Sequence, residues 1–117
     1  MKLKPLIWVG SSKKDLLQFP KEIINSAGYA LYLAQSGEKY IHSKVLKGFG
    51  GAGIIEIIES DPSGTFRIVY TIQLANVIFV LHAFQKKSKQ GIKTPKPEID
   101  LIKKRLKEAQ EIYKELT

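Results

Sequence analysis

The chain contains no cysteine and only two histidines, His42 and His82. Disulfide staples and thiolate metal sites are therefore excluded, and two separated imidazoles do not make a zinc site by themselves. No apolar run approaches the length of a membrane span. The opening stretch, MKLKPLIWVGSSKKD, has too short an apolar part for a secretory signal. The expectation is a cytoplasmic protein with no membrane partner. Acidic residues are scarce too: Glu56, Glu59 and Asp61 fall in one segment, and no second acidic cluster accompanies them. A metal-dependent nuclease would need such a cluster, so neither a metal nor another cofactor is implied. Internal repeats and low-complexity tracts are absent.

What is present is cationic charge. Nineteen Lys and Arg stand against eleven Asp and Glu, a formal net charge of +8 on 117 residues. That excess favours a polyanionic partner, whether nucleic acid, acidic protein or anionic surface, although plain solubility is the bland alternative. With 44% hydrophobic residues, the length suits a single domain over residues 1–117 with one core.

Local patterns order the elements. Leu3 to Val9 reads as a strand. Gly10-Ser11-Ser12 is a turn, and Ser12 with Asp15 resembles a capping box opening a short helix to about Phe19. Pro20 suits the start of a second helix, whose Ile23, Ile24, Ala27, Leu31 and Ala34 form one apolar stripe ending near Gly37. Gly28 inside it suggests close packing. Ile54 to Glu59, Phe66 to Ile72 and Val77 to Phe84 read as three strands of a meander. They are separated by Asp61-Pro62-Ser63-Gly64 and Leu74-Ala75-Asn76. Thr94 and Pro95 then suit the cap and first position of a last helix. Its Ile99, Ile102, Leu106, Ala109, Tyr113 and Leu116 make an apolar seam, facing either the chain's own sheet or a partner.

The stretch FRIVYTIQLANVIFVLHAFQKKSK, Phe66 to Lys89, carries the residues of chemical interest. Strand alternation places Arg67, Val69 and Thr71 on one face, and His82, Phe84 and Lys86 on one face of the next strand. An Arg among apolar neighbours has two readings. It pairs with Glu56 or Glu59 on the adjacent strand, or it presents a forked donor to phosphate. His82 is either a satisfied core imidazole or an acid–base group near neutral pH. Lys86, Lys87 and Lys89 are a solvated edge, or, beside Phe84, cations that grip a nucleotide while the ring stacks a base. The loop Lys44 to Gly53, KVLKGFGGAG, lacks the ending of a nucleotide-triphosphate loop. Its glycines suit a tight backbone path, and Lys47 or Lys44 can add charge to the same ligand.

Taken together, KPLIWVGSSKKDL, LKGFGGAGIIEI, FRIVYT, FVLHAFQKKSKQG and TPKPEIDLIKKRL resemble the phage-derived HigB-like branch of the RelE/ParE toxin superfamily. The likeness spans nearly the whole chain. It implies an α+β fold: one N-terminal strand, two helices, an antiparallel meander and a C-terminal helix. It implies the toxin of a type II toxin–antitoxin system, a metal-independent mRNA endoribonuclease acting at the ribosome. The expected partner is a small helix-turn-helix antitoxin, through which alone operator DNA is met. The ParE side of the superfamily supplies the alternative, a gyrase inhibitor that acts by binding. Carried onto this chain, the resemblance maps the family's cationic residues onto Lys47, Arg67, His82, Lys86 and Lys87. With the reading of the residues above, the expected catalytic residues are Arg67, Lys86, His82 and Lys47, and the expected RNA contacts are Lys87, Lys89, Phe84 and Lys44. Relatives often carry a basic residue after the Glu of the first meander strand, where this chain has Ile57, and no Tyr or second Arg follows its last strand. The ribonuclease reading, so stated, requires Arg67 to lie near Lys47 and Lys86 and not to be locked inside by a carboxylate. On it, Arg67→Ala would relieve toxicity while leaving the fold intact.

Overall fold

The computed structural model describes residues 2–51, 53–86 and 93–117. Eight elements follow in order: β1 (Leu6–Trp8), α1 (Ser12–Leu16), α2 (Lys21–Gln35), β2 (Ser43–Val45), β3 (Ile54–Asp61), β4 (Gly64–Thr71), β5 (Ile78–Lys86) and α3 (Lys96–Leu116). The strands make one five-stranded sheet in the order β1-β5-β4-β3-β2. All neighbours are antiparallel except β1, which runs parallel to β5 with Leu6 opposite Ile78. The expected α+β architecture is thus the observed one, with β2 as an additional edge strand.

Alternation sends the two faces of the sheet to different helices. Ile55, Ile57, Ile68, Tyr70, Ile78 and Val80 pack with Ala27, Ala30, Leu31 and Ala34 of α2. Ile54, Val69, Phe79, Leu81 and Phe84 pack with Ile102 and Ala109 of α3. Burying both faces explains why β5 reads as a near-continuous apolar run. The α3 seam therefore rests on the chain's own sheet, although Leu116 is exposed at its end.

Two reversals fix the register. Asp61 pairs with Gly64 across Pro62-Ser63, and Gly64 has φ of +144°, a region that suits glycine. That tight turn places Ile58 opposite Arg67. A bulge then interrupts the β4–β5 ladder: His82 pairs with Val69, but Val80 pairs with Tyr70. The extra residue is Leu81, so Leu81 and His82 both turn toward α3.

Several local expectations are corrected. Ser11, not Ser12, precedes α1, and its hydroxyl donates to Asp15 at 2.8 Å. Ser12 is buried and donates to the Val80 carbonyl at 3.1 Å. Gly28 is exposed, and a Cβ there would meet nothing within 4 Å, so it marks no close packing. Pro95, not Thr94, occupies the cap position of α3.

Candidate nucleic-acid interface

The α3-facing side of β2, β3, β4 and β5 runs out beyond the first turn of α3, and there it becomes polar. Lys44 of β2 is directly opposite Glu56 of β3. Arg67 of β4 lies diagonally across from Glu56, since its direct partner is Ile58. Its guanidinium Nη1 donates to Glu56 Oε1 at 3.0 Å, with both side chains at 4% exposure or less. Thr94 closes the pair from above. Its hydroxyl donates to Glu56 Oε2 at 2.8 Å and lies 3.3 Å from Arg67 Nη1. A charge removed from water needs such partners, because an unpaired one is strongly unfavourable.

Lys86, at the end of β5, is buried on the same face, and its Nζ donates to the Lys93 carbonyl at 2.6 Å. Burial, and then the Arg67 guanidinium, hold the Lys86 ammonium below the ordinary lysine range; Glu56 opposes this and Lys44 adds to it. Above these groups opens a cavity of about 460 Å³, lined by Lys44, Val45, Leu46, Lys47, Lys93, Thr94 and Ile99. Lys47 precedes Gly48 and Gly50, whose φ values of +98° and +74° let the loop curl tightly around its rim. On the neighbouring surface Lys103 Nζ stands 6.0 Å from the Phe49 ring centroid, a cation–π distance.

A second network lies further along the same face. Arg105 of α3 is buried and donates through Nη1 to the Leu81 carbonyl at 3.0 Å. It also reaches His82 Nδ1 at 3.3 Å and, through Nη2, the Ser11 hydroxyl at 2.9 Å. His82 Nε2 faces Glu98 Oε1 at 3.3 Å. A guanidinium only donates, so Nδ1 accepts and the proton of the neutral ring sits on Nε2, pointing at Glu98. The His82 ring is stacked on Phe84 at 4.9 Å.

The comparisons with known proteins bear on this arrangement. Residues 14–107 match the model of the family described as phage-derived protein Gp49-like (DUF891). The chain belongs to this family. Among solved structures, it resembles a chain of the toxin–antitoxin complex RelBE2 from Mycobacterium tuberculosis. The TM-score is 0.51 at 19% identity, covering 75% of this chain and 97% of that one. At that identity the likeness is one of fold, and it makes this chain's α+β architecture a RelE-like one. No curated protein matches the sequence.

Six of the eight expected site residues fall among the described residues. Lys44 and Lys47 line the cavity, Lys44 half-buried and Lys47 exposed. Lys86 is adjacent and buried. Arg67 does not present a fork to solvent: of its two readings the structure gives the ion pair, with Glu56 as partner. Glu59 points to the opposite face, where it accepts from Tyr40 and faces His42 Nδ1 at 3.1 Å. Phe84 is buried under α3 and stacked on His82, so its ring is not open to a base. Lys87 and Lys89 lie outside the described residues. Sequence reasoning missed Lys93, Thr94 and Arg105. The TP dipeptide was visible, but it reads equally well as a helix cap. Among the described residues, no group of three His, Cys, Asp or Glu side chains is placed to hold a metal ion, and no helix is long and apolar enough to cross a membrane.

The His82 network has a pH consequence. Burial is the largest cause that lowers the His82 pKa, and Arg105 lowers it further; Glu98 and Asp15 oppose. The folded value lies below the unfolded one of about 6.5. Below that pH the unfolded chain binds the extra proton first, so stability falls with acidification. Urea titrations between pH 7.5 and 5 should show this decline, and His82→Gln should flatten it. An unchanged slope in the variant would assign the decline to other groups.

Proposed function

We propose that the chain is the toxin of a type II toxin–antitoxin pair, and that its cationic cleft binds messenger RNA and cuts it at the ribosome without a metal. The observation that carries this reading is the convergence of three segments at one cavity: Lys44 and Lys47 from one and Lys93 from another line it, and Lys86 of β5 lies beside it, bonded to the Lys93 carbonyl. Family membership and a fold shared with a chain of a toxin–antitoxin complex support the biological half. The partner would be a small helix-turn-helix antitoxin, and operator DNA would be met only through it.

The chemistry follows from the groups present. The ribose 2′-hydroxyl gives up its proton to solvent water as its oxygen attacks the adjacent phosphorus, the bond from phosphorus to the 5′-oxygen breaks, and a 2′,3′-cyclic phosphate remains. Lys44, Lys47 and Lys93 offset charge on the phosphate oxygens, and Lys86 delivers the proton that the leaving 5′-oxygen needs. Arg67 is locked inside by Glu56, so the condition set from the sequence is not met, and this scheme rests on the lysines with no contact from Arg67 to phosphate. It fixes Glu56 and Thr94 beneath the cavity and depresses the Lys86 pKa, which makes it a positioning residue. The route needs a 2′-hydroxyl, so RNA is cut and DNA is not.

The internal neutralisation of Arg67 favours one second reading, inhibition by binding alone, as in a ParE-like gyrase inhibitor. Induction of the protein separates the two. Prompt appearance of new transcript ends supports cleavage. A DNA-damage response with intact transcripts would overturn it. Binding to single-stranded RNA should weaken steeply with salt, and Lys44→Ala and Lys47→Ala should each reduce the log–log slope by about 0.7. A salt-independent affinity would remove phosphate contact from the scheme.

A further inference from the structure

An electrostatic RNA surface requires no cavity, yet this one has a cavity with an apolar wall. Leu46 and Ile99 stand on its sides, and Lys44, Lys47 and Lys93 stand around it. Its volume of about 460 Å³ falls within the range of small-molecule sites, about 300–1,000 Å³. Among the described residues no carboxylate lines it, and both oxygens of the nearby Glu56 are turned to Arg67 and Thr94. A ligand matched to such a place has a flat apolar body flanked by anionic groups. A mononucleotide unit within a single strand has that form.

We infer that the cavity seats one unstacked base of the bound strand between Leu46 and Ile99, with the flanking phosphates on Lys44, Lys47 and Lys93. This rests on the RNA reading given above and adds to it a contact that charge does not supply. Base contacts with protein side chains add affinity that survives at high salt, whereas phosphate contacts do not. The strand would therefore be held in register, one nucleotide deep, beside Lys86.

The test uses the full chain and short single-stranded 2′-deoxy oligonucleotides, which bind without being cut by the proposed route. One oligonucleotide carries bases, and the other is abasic throughout with the same phosphates. Fluorescence anisotropy should show the abasic strand binding at least about fivefold more weakly at moderate salt. Ile99→Trp fills the cavity and should bring the intact strand down to the abasic affinity with an unchanged salt slope. The comparison of strands on the unaltered protein stands even if that variant folds poorly. Equal affinities for the two strands would overturn the seat, as would no binding of either. So would an acidic peptide of equal charge that binds as tightly as the intact strand. Base-dependent binding with no cleavage of ribosome-bound messenger RNA would leave the seat and sink the nuclease reading. Cleavage of RNA with charge-only binding would do the reverse.

Discussion

Arg67→Ala is expected to lower folding stability by about 3–5 kcal/mol, because it strands the Glu56 carboxylate in the interior. Glu56 is fully buried and Arg67 is 3% exposed, so water reaches neither charge. For a domain of this size the melting temperature should fall by more than about 10 °C. The buried pair argues against the sequence-based expectation of an intact fold. Attraction between two exposed charges would be worth only about 0–1 kcal/mol, and the difference between the two ranges is the test of burial. Glu56→Leu combined with Arg67→Met should recover most of the loss, since a shape-matched apolar pair strands no charge. Calorimetry on the single and double variants decides the matter. An Arg67→Ala protein that melts within about 2 °C of the wild type would mean that the pair is solvated.

This result bears on how loss of toxicity is read. An Arg67→Ala chain that no longer inhibits growth can have lost its fold rather than a phosphate ligand. Lys44 and Lys47 give cleaner evidence, because Lys47 is exposed and Lys44 only half-buried, and neither belongs to the hydrophobic core.

Much of the fold was legible because periodicity and turn chemistry agreed. The α2 stripe, the Asp61–Gly64 turn and the α3 seam each carried a local signal strong enough to order the elements. The partner of Arg67 was within reach as well. A two-residue turn pairing Asp61 with Gly64 sets Ile58 opposite Arg67, and alternation then puts Glu56 on its face and Glu59 on the other. The short edge strand Ser43–Val45 was not legible, since three residues flanked by a polar stretch and a Gly-rich loop carry no periodicity. Thr94 was ambiguous for a different reason. Whether it caps α3 or bonds Glu56 depends on where α3 lies against the sheet. Arg105 was invisible for the same reason. It follows two lysines and reads as part of a solvated face, yet it docks α3 onto residues from the other end of the chain. Gly10 makes room for it: with φ of +56°, a Cβ there would sit 2.8 Å from Arg105 Nε. Such contacts, distant in sequence, leave no pattern in a single chain.

Lys86 gives the second large effect. If it carries the proton to the leaving oxygen, Lys86→Met should slow RNA cleavage by about 10²–10⁴-fold, the usual worth of a positioned acid or base. Lys86→Arg separates proton transfer from charge. A guanidinium keeps the charge but does not give up its proton, so it should remain almost as impaired as Met. Full activity in the Arg variant would show that Lys86 acts as a fixed cation only. The pH profile supplies an independent sign. A general acid must be protonated, so the cleavage rate should fall as pH rises through the Lys86 pKa, which lies below the ordinary lysine value because of burial and Arg67. Stability moves the other way. Between the lowered folded value and the unfolded one, about 10.4, the unfolded chain binds more protons, so the Lys86 contribution to stability grows with pH. A loss of rate in that window, with stability unchanged or rising by this contribution, cannot be assigned to unfolding at Lys86. It would be read as deprotonation of the acid. A rate that climbs through the same window would instead make Lys86 the base that takes the 2′-hydroxyl proton, and the roles within the cleft would have to be exchanged.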